Sequence, residues 1–185
     1  MIETQRLRLR RLTLSDSDAA FMIRLVNDPG WIANIGDRNV HDLPQARAYI
    51  QKTLDMYERL GFGSWVAELK ATGEPIGTCG LVKRDGIDDV EIGYALLPEF
   101  RGQGLAIEGV RAVIRHAREV LGLERVAAIV TPSNADSIRV LEKAGLAFAR
   151  AVTLPGKDEV YLYLAQLAAS SSAAEASVAG SNRTR

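Results

Sequence analysis

A change of hydrophobic period near residue 101 constrains the fold of this chain more than any other feature. Residues Val90 to Leu97 follow a strand pattern, and from Gly102 to Leu121 apolar residues recur at helical spacing. The two patterns meet in a turn of closely spaced small residues, Arg101-Gly102-Gln103-Gly104. At such a helix start several backbone N–H groups point in one direction, where the helix dipole also favours an anion. The junction therefore predicts a binding site for a pyrophosphate.

Other interpretations of this junction are open at this point. One is that the glycines only shape a strand-to-helix turn. A dinucleotide-binding fingerprint is disfavoured, because an antiparallel meander precedes the glycines instead of the first strand of a parallel sheet. A P-loop is excluded, because no Gly-Lys-Ser or Gly-Lys-Thr follows them.

The rest of the chain predicts a single α/β (α+β) domain with a mixed, mostly antiparallel sheet of about seven strands flanked by about four helices. The segment Asp28-Pro29-Gly30 breaks the first helix, and residues 31–41 are predicted to be irregular. A parallel crossover follows the long helix. Strands are predicted at 7–14, 63–69, 76–82, 90–97, 125–130, 148–154 and 160–164, and helices at 15–27, 42–61, 102–121 and 134–143. The last two strands form a hairpin around residues 155–158.

Composition excludes several classes of protein. The 23 basic and 23 acidic residues cancel, which leaves no field to gather nucleic acid or an anionic membrane. A single cysteine, Cys79, excludes an intrachain disulfide and a multi-thiolate zinc site, and no metal-ligand spacing is present. The N-terminus lacks the apolar core of a signal peptide, and no apolar run reaches the roughly 20 residues that span a bilayer. We therefore expect a cytoplasmic protein without metal, nucleic-acid or membrane partners.

The domain is predicted to occupy residues 1–165. From Ala165 to Arg185 the chain is mostly alanine and serine, and it has no apolar face that could add to the core. We expect residues 166–185 to be a disordered tail or a fraying helix.

The run Arg101-x-x-Gly104-x-Ala106 resembles the acyl-CoA pyrophosphate loop of the GNAT superfamily of N-acetyltransferases. Further matches are Thr4 to Arg10, Ile92-Gly93-Tyr94, Glu108, and Asn134-x-x-Ser137 leading to Glu142-Lys143-Ala144-Gly145-Leu146. Together these resemble the Rim-type branch, which contains the ribosomal-protein N-terminal acetyltransferases. The resemblance covers roughly residues 3–165, and it implies the acyl-CoA N-acyltransferase fold.

The resemblance implies that acetyl-CoA is the co-substrate and that its binding site can be assigned position by position. The strand before the loop would splay from its neighbour and pair with the pantetheine arm. The backbone amides of the loop and the charge of Arg101 would hold the pyrophosphate. Asn134 would bind the pantetheine region. Ser137 would lie near the thioester sulfur. The cofactor-binding residues are therefore predicted to be Tyr94, Ala95, Leu96, Leu97, Arg101, Gly102, Gln103, Gly104, Leu105, Ala106, Asn134 and Ser137.

The catalytic step requires proton removal from an ammonium group and a proton for the departing thiolate. Glu91 is the candidate base, acting through water, and its alternative is a solvated charge at a strand start. Many family members have an acidic tyrosine two residues before the Lys143 position, but this chain has Leu141 there. The Rim-type resemblance suggests Ser137 as the substitute, either relaying a proton to the sulfur or, because a free serine is a poor acid, only positioning a water or the sulfur. Local backbone hydrogen bonding is its alternative role. Tyr94 is a third candidate, with packing as its alternative.

The sequence thus predicts transfer of an acetyl group from acetyl-CoA to a primary amine, by direct attack in a ternary complex. The acceptor is either a protein N-terminus or a small-molecule amine. The alternative is a catalytically inactive acyl-CoA sensor or interaction module on the same fold, which Leu141 in place of the usual acid keeps open. Pairing of two copies through the sheet edge or the C-terminal hairpin would give a homodimer, the commonest symmetric oligomer.

Overall fold

The computed structural model describes residues 1–154 and 159–167, and in this part of the chain one eight-stranded sheet carries five α-helices. The strands are β1 Ile2–Glu3, β2 Leu7–Arg11, β3 Ser64–Leu69, β4 Pro75–Val82, β5 Val90–Leu96, β6 Arg125–Val130, β7 Ala147–Thr153 and β8 Glu159–Gln166. The helices are α1 Asp16–Val26, α2 Pro29–Ile35, α3 Leu43–Leu60, α4 Leu105–Glu119 and α5 Ala135–Lys143. A single 3₁₀ turn, Pro98–Phe100, follows β5. The expected fold class is confirmed, with one more strand and one more helix than predicted.

The sheet has the order β1-β2-β3-β4-β5-β6-β8-β7, and every neighbouring pair is antiparallel except β5 and β6. The parallel pair follows from the crossover through α4, as predicted. β5 and β6 are paired only at Val90 with Val126 and at Glu91 with Ala127. Beyond these residues the two strands separate, which opens a gap in the middle of the sheet.

Helices cover both faces of the sheet, and each strand contributes alternate residues to the two faces. On one face, here called the α4 face, Val110 and Val113 of α4 pack with Ile92 of β5. On the other, the α1 face, Leu25 of α1 and Ile50 of α3 belong to a second buried cluster. The core is therefore divided into two layers by the sheet, and the gap between β5 and β6 connects them.

The short helix α2 is the main element that the sequence prediction missed. Asp28-Pro29-Gly30 does end α1, but Asp28 also caps the next helix, because its Oδ2 accepts a hydrogen bond of 3.0 Å from the N–H of Trp31. Pro29 fits the first helical position, where no N–H is needed. A helix of seven residues is too short to show a complete apolar period, so this part of the 31–41 prediction was wrong.

The C-terminal end of the sheet extends past the predicted boundary. β8 continues to Gln166, and Leu167 donates its backbone N–H to the carbonyl of Glu124 at 2.7 Å. Ala165 and Leu167 are both buried in the core of the α4 face, so the expectation that the chain adds nothing to the core from Ala165 was wrong. The predicted hairpin turn at 155–158 and the predicted tail beyond residue 167 lie outside the described residues.

No helix in residues 1–154 or 159–167 combines the length and the apolar character needed to cross a membrane.

Candidate active site

The gap between β5 and β6 forms a cleft of about 600 Å³, a volume typical of small-molecule sites. Of the predicted site residues, it is lined by Glu91, Tyr94, Ala95, Leu96, Arg101, Gly102, Gly104, Ala106, Asn134 and Ser137. Leu97 and Leu105 do not line it, since both side chains are buried in the core. The amide side chain of Gln103 donates to the carbonyl of Glu99 instead.

The turn at the start of α4 presents a run of free backbone donors. Gly102 and Gly104 both have left-handed backbone angles, with φ of 73° and 75°, which glycine adopts without strain. Gly104 is the N-cap of α4 and has no side chain to cap the helix. Within the described residues, no hydrogen bond engages the N–H groups of residues 102–107. This is the pattern that an anion at a helix N-terminus requires.

Arg101 does not contribute to this run in the way that the sequence predicted. Its backbone N–H is engaged with the carbonyl of Pro98 at 3.2 Å, in the 3₁₀ turn. Its guanidinium donates to the carbonyl of Leu96 at 2.9 Å and forms an ion pair with the buried carboxylate of Asp28. The expectation that the Arg101 amide is available to a phosphate was therefore wrong, because the turn geometry uses it, and the positive charge of Arg101 is already paired.

Glu108 ties the N-terminal segment to the turn. It accepts hydrogen bonds from the Thr4 hydroxyl at 2.6 Å and from the backbone N–H and the Nε of Arg6, both at 2.7 Å. Burial alone would raise the pKa of Glu108, but these hydrogen bonds outweigh it and leave the pKa below its usual value. Arg6 also donates to the carbonyl of Gln103 at 2.9 Å. The Thr4-x-Arg6 segment and Glu108, which the resemblance included, thus brace the turn.

Tyr94 and Ser137 meet on the α4 face of the cleft. The Tyr94 hydroxyl lies 2.7 Å from Ser137 Oγ and 3.1 Å from the Ser137 carbonyl. Asn134 is the N-cap of α5 and accepts a hydrogen bond of 3.1 Å from the N–H of Ser137, which fixes where this serine lies. Burial raises the pKa of Tyr94 to about 12, although the hydrogen bond with Ser137 lowers it in part. The Ser137 hydroxyl therefore contacts another side chain that lines the cleft.

Glu91 lies on the opposite, α1 face, because alternation along β5 directs Ile92, Tyr94 and Leu96 to the α4 face. It is 2% exposed, so the alternative of a solvated charge at a strand start is wrong. Its Oε1 accepts a hydrogen bond of 2.8 Å from Nε of Arg84, which also lines the cleft. The cleft therefore has a carboxylate on one face of the sheet and a pair of hydroxyls on the other.

Sequence reasoning missed Arg84, which was interpreted as part of a turn. In the antiparallel register, Val82 of β4 lies opposite Glu91 of β5, so Arg84 lies just beyond this pair. A register drawn from the two predicted strands could have found it. Asn34 and Thr131 were also missed; both line the cleft, and the Thr131 hydroxyl donates to the Asn34 carbonyl at 3.3 Å.

The aromatic residues divide between cleft and core. Trp31 lines the cleft, and its buried Nε1–H has no hydrogen-bond partner within the described residues. Trp65 and Phe62 are instead buried in the core of the α4 face. Leu141, at the position of the usual acidic tyrosine, is 1% exposed and packs in the same core.

Cys79 is buried in β4, and burial raises the pKa of its thiol to about 12. Since the thiolate is the nucleophilic form, a buried thiol with a raised pKa is poorly suited to act as a nucleophile. Within the described ranges, no group of three or more His, Cys, Asp or Glu side chains could hold a metal ion.

Comparisons with known proteins bear on the family and the fold of this chain. The sequence model of a family described as acetyltransferase (GNAT) domain matches residues 6–147. An uncharacterized N-acetyltransferase of Bacillus subtilis, YoaA, is 34% identical over 146 residues, which are 78% of this chain and 81% of that protein.

Solved structures share the fold. An acetyltransferase from Agrobacterium tumefaciens superposes with a TM-score of 0.72 at 28% identity, over 88% of this chain and 92% of that one. A ribosomal-protein-S5-alanine acetyltransferase from Vibrio fischeri gives a TM-score of 0.75 at 18% identity, over 90% and 96% of the two chains. At that identity the second likeness concerns the fold alone.

Proposed function

This chain belongs to the GNAT acetyltransferase family and is an acetyl-CoA-dependent N-acetyltransferase, and from that premise we propose that it acetylates a primary amine by direct attack through the gap between β5 and β6. The observation that carries the proposal is the position of Glu91 and the Tyr94–Ser137 pair on opposite faces of the sheet, at one cleft. An amine that enters from the α1 face meets the carboxylate, and a leaving sulfur on the α4 face meets the hydroxyls.

The proposed binding site for acetyl-CoA is supported by polar groups that make no hydrogen bond within the described residues. The unengaged N–H groups of residues 102–107 suit the pyrophosphate, and the edge of β5 that faces β6 beyond Glu91 suits the pantetheine arm. Asn134 uses its side-chain oxygen to cap α5, which leaves its amide nitrogen as a donor to the arm. We propose that these groups replace the predicted role of Arg101, whose charge is paired with Asp28.

The reaction needs little covalent help from the protein. Acetyl-CoA supplies the acetyl thioester; the acetyl–sulfur bond breaks, an acetyl–nitrogen bond forms, and one net proton is released from the ammonium form of the amine. Glu91, through a water molecule, receives the proton that the ammonium must lose before it can attack. Ser137 donates a hydrogen bond that stabilises the departing thiolate, and the thiolate then takes its proton from water.

Tyr94 is a positioning residue in this scheme. With a pKa of about 12, its phenol stays protonated at neutral pH, but it is a poor proton source for a thiolate, since free thiols have a pKa of about 8.5. We propose that Tyr94 holds the Ser137 hydroxyl toward the sulfur by a hydrogen bond. The Ser137 hydroxyl would thus stabilise the thiolate by a hydrogen bond where Leu141 offers no acid, which favours an active enzyme over an inactive sensor.

The test is release of free thiol from acetyl-CoA with primary amines, using Glu91→Gln and Ser137→Ala. Each variant should lose roughly 10²–10³ in kcat with little change in the affinity for CoA. The loss of kcat in Glu91→Gln should become smaller at alkaline pH, because the amine is then already deprotonated and no longer needs a base. Glu58→Gln changes an exposed glutamate of α3 and serves as the control. A wild-type rate in Glu91→Gln, or a loss that is equal at every pH, would remove Glu91 from the mechanism.

We keep a homodimer in the cytoplasm as part of the proposal. β7 lies at one edge of the sheet and is exposed along most of its length, so it offers a strand to a second copy. The mass in solution, from sedimentation or light scattering, distinguishes a dimer from a monomer.

A further inference from the structure

The acceptor end of the cleft carries an arginine that is bound only through one of its nitrogens. Arg84 uses Nε for Glu91, while its Nη1 and Nη2 make no hydrogen bond within the described residues, and its side chain is 33% exposed at the cleft. Guanidinium nitrogens present a fixed fork that matches a carboxylate. The free end of Arg84 is therefore a ready donor pair for an anionic group that enters the cleft.

Glu91 is likewise engaged on one side. Its Oε1 accepts from Arg84, and its Oε2 makes no hydrogen bond within the described residues. A ligand with an ammonium group and a carboxylate on the same carbon would complete both partners, with the ammonium on Glu91 and the carboxylate on Arg84. A ligand with an ammonium group alone would complete only one of them.

The charged side chains in and near the cleft are mostly positive. Burial raises the pKa of Tyr49 on α3, while a hydrogen bond and the charge of Arg38 and the charge of Arg84 lower it in part. Both guanidinium groups therefore lie close to the Tyr49 hydroxyl. Among the described residues, the charged side chains that line the cleft are two carboxylates and four cations: Glu91, Asp136, Arg84, Arg101, Arg139 and Lys143. A polycationic acceptor would bring further positive charge to a site that already has an excess, which disfavours it.

An independent observation in the same cleft is an unpartnered donor. The Nε1–H of Trp31 is buried without a hydrogen-bond partner in the described part of the chain, and the residue is 93% buried while it lines the cleft. A buried N–H without a partner is costly, and an oxygen of a bound ligand would satisfy it. Ile35 and Val82 line the same region, so an apolar side chain of the ligand also finds contacts there.

We propose that the acceptor is a primary amine that carries a carboxylate on the carbon next to its nitrogen, of the α-amino-acid type with an apolar side chain, and that Arg84 binds this carboxylate. This inference rests on the proposed function, since it assigns the acceptor of the same site. It favours a small molecule over a protein N-terminus, in which an amide replaces the carboxylate.

The test compares leucine, phenylalanine and methionine with their carboxamides and with isoamylamine and spermidine, in thiol release corrected for the fraction of free amine. Wild-type kcat/KM for the amino acids should exceed that for the amides and plain amines by about tenfold or more. Arg84→Gln should bring the ratio of amino acid to amide close to one, Arg84→Lys should retain part of it, and the KM for acetyl-CoA should change little. Arg115→Gln, an exposed arginine on α4, is the control.

Two results would overturn the inference: amides or spermidine that match the amino acids in the wild type, or an Arg84→Gln loss that is equal for amino acids and amides. Stabilisation of the CoA complex in a thermal melt by leucine, but not by leucinamide, provides a binding readout without turnover. If wild-type protein releases no thiol with any amine, the proposed function fails, while the melt still decides whether the carboxylate site exists.

Discussion

The hydroxyl oxygens of Tyr94 and Ser137 lie 2.7 Å apart, although the two residues are 43 positions apart in the chain and belong to different elements. The N-cap bond from the Ser137 amide to Asn134 fixes the start of α5, and the strand register fixes Tyr94. The hydrogen bond is thus built by two rigid elements that meet at the cleft. In the proposed mechanism, the phenol orients the serine hydroxyl through this hydrogen bond.

A double-mutant cycle tests this relation. Tyr94→Phe should lower kcat by about tenfold, the worth of one hydrogen bond, and Ser137→Ala should lower it by roughly 10²-fold. If Tyr94 acts through Ser137, the double variant should be no slower than Ser137→Ala alone. Tyr161→Phe is the control, since Tyr161 does not line the cleft. Additive losses would mean that Tyr94 acts on the sulfur independently of Ser137.

A substitution at Gly102 tests whether the free backbone N–H groups of residues 102–107 bind CoA, without changing the charge of the protein. An alanine Cβ there would meet no atom within 4 Å, but φ is 73°, so Gly102→Ala strains the turn. Gly122, at the other end of α4, has φ of 65° and equally open surroundings. Both alanine variants should lose about 1 kcal/mol of stability. Only Gly102→Ala should raise the Kd for CoA, by about tenfold in calorimetry, and an equal Kd in both variants would contradict the assignment.

Local signals in the sequence sufficed for three of the elements around the cleft, β5, α4 and α5. The change of period at Arg101–Gly104 predicted where β5 ends and α4 begins, and Asn134 predicted the start of α5, because caps and turns depend on neighbouring residues. The faces of β5 also follow from alternation, which predicts that Glu91 and Tyr94 point to opposite sides. These parts of the candidate site were readable because they require no knowledge of distant contacts.

Contacts between distant segments were not readable. The pairing of Arg101 with Asp28 joins residues 73 positions apart, and nothing in either local pattern indicates it. α2 is too short for periodicity, so the residues that it brings to the cleft were seen only as candidates or not at all. Arg84 was missed because its role depends on the register of β4 against β5. Such contacts are settled by packing of the whole chain, which a local pattern does not contain.

The pairing of Arg101 makes a distinct prediction for Arg101→Gln. Since Asp28 already neutralises the guanidinium, the Kd for CoA should change by less than about threefold, which is below 1 kcal/mol. The protein should nevertheless lose about 3 kcal/mol of stability, because Asp28, with a side chain 5% exposed, becomes a buried unpaired carboxylate. Adding Asp28→Asn should recover part of this loss. A tenfold rise in Kd at unchanged stability would instead assign the guanidinium to the pyrophosphate.

Asp18 predicts how stability depends on pH. Its carboxylate, 2% exposed, accepts two hydrogen bonds from Arg10, at 2.7 and 2.8 Å, and two from Thr13, at 2.7 and 2.8 Å. Burial alone would raise the pKa of Asp18, but the hydrogen bonds from Arg10 and Thr13 outweigh it, so the pKa lies below the usual value. A carboxyl whose pKa is lower in the folded state stabilises the fold above its unfolded pKa, about 3.9, and this contribution is lost as pH falls through the lowered folded pKa.

Asp18→Asn should therefore cost roughly 2 kcal/mol at pH 7, because it removes the carboxylate that both Nη groups of Arg10 bind, although Glu68 still pairs with the Nε of Arg10. The difference in unfolding free energy between wild type and variant should be constant from pH 7 to about pH 5 and should shrink below pH 4, as the wild-type carboxyl takes up a proton. Asp16→Asn, at an ion pair whose carboxylate is 77% exposed on the same helix, should cost less than about 1 kcal/mol. Urea titrations across this pH range measure both, and a difference that stays constant down to pH 3 would show that the Asp18 carboxylate does not carry the stabilisation.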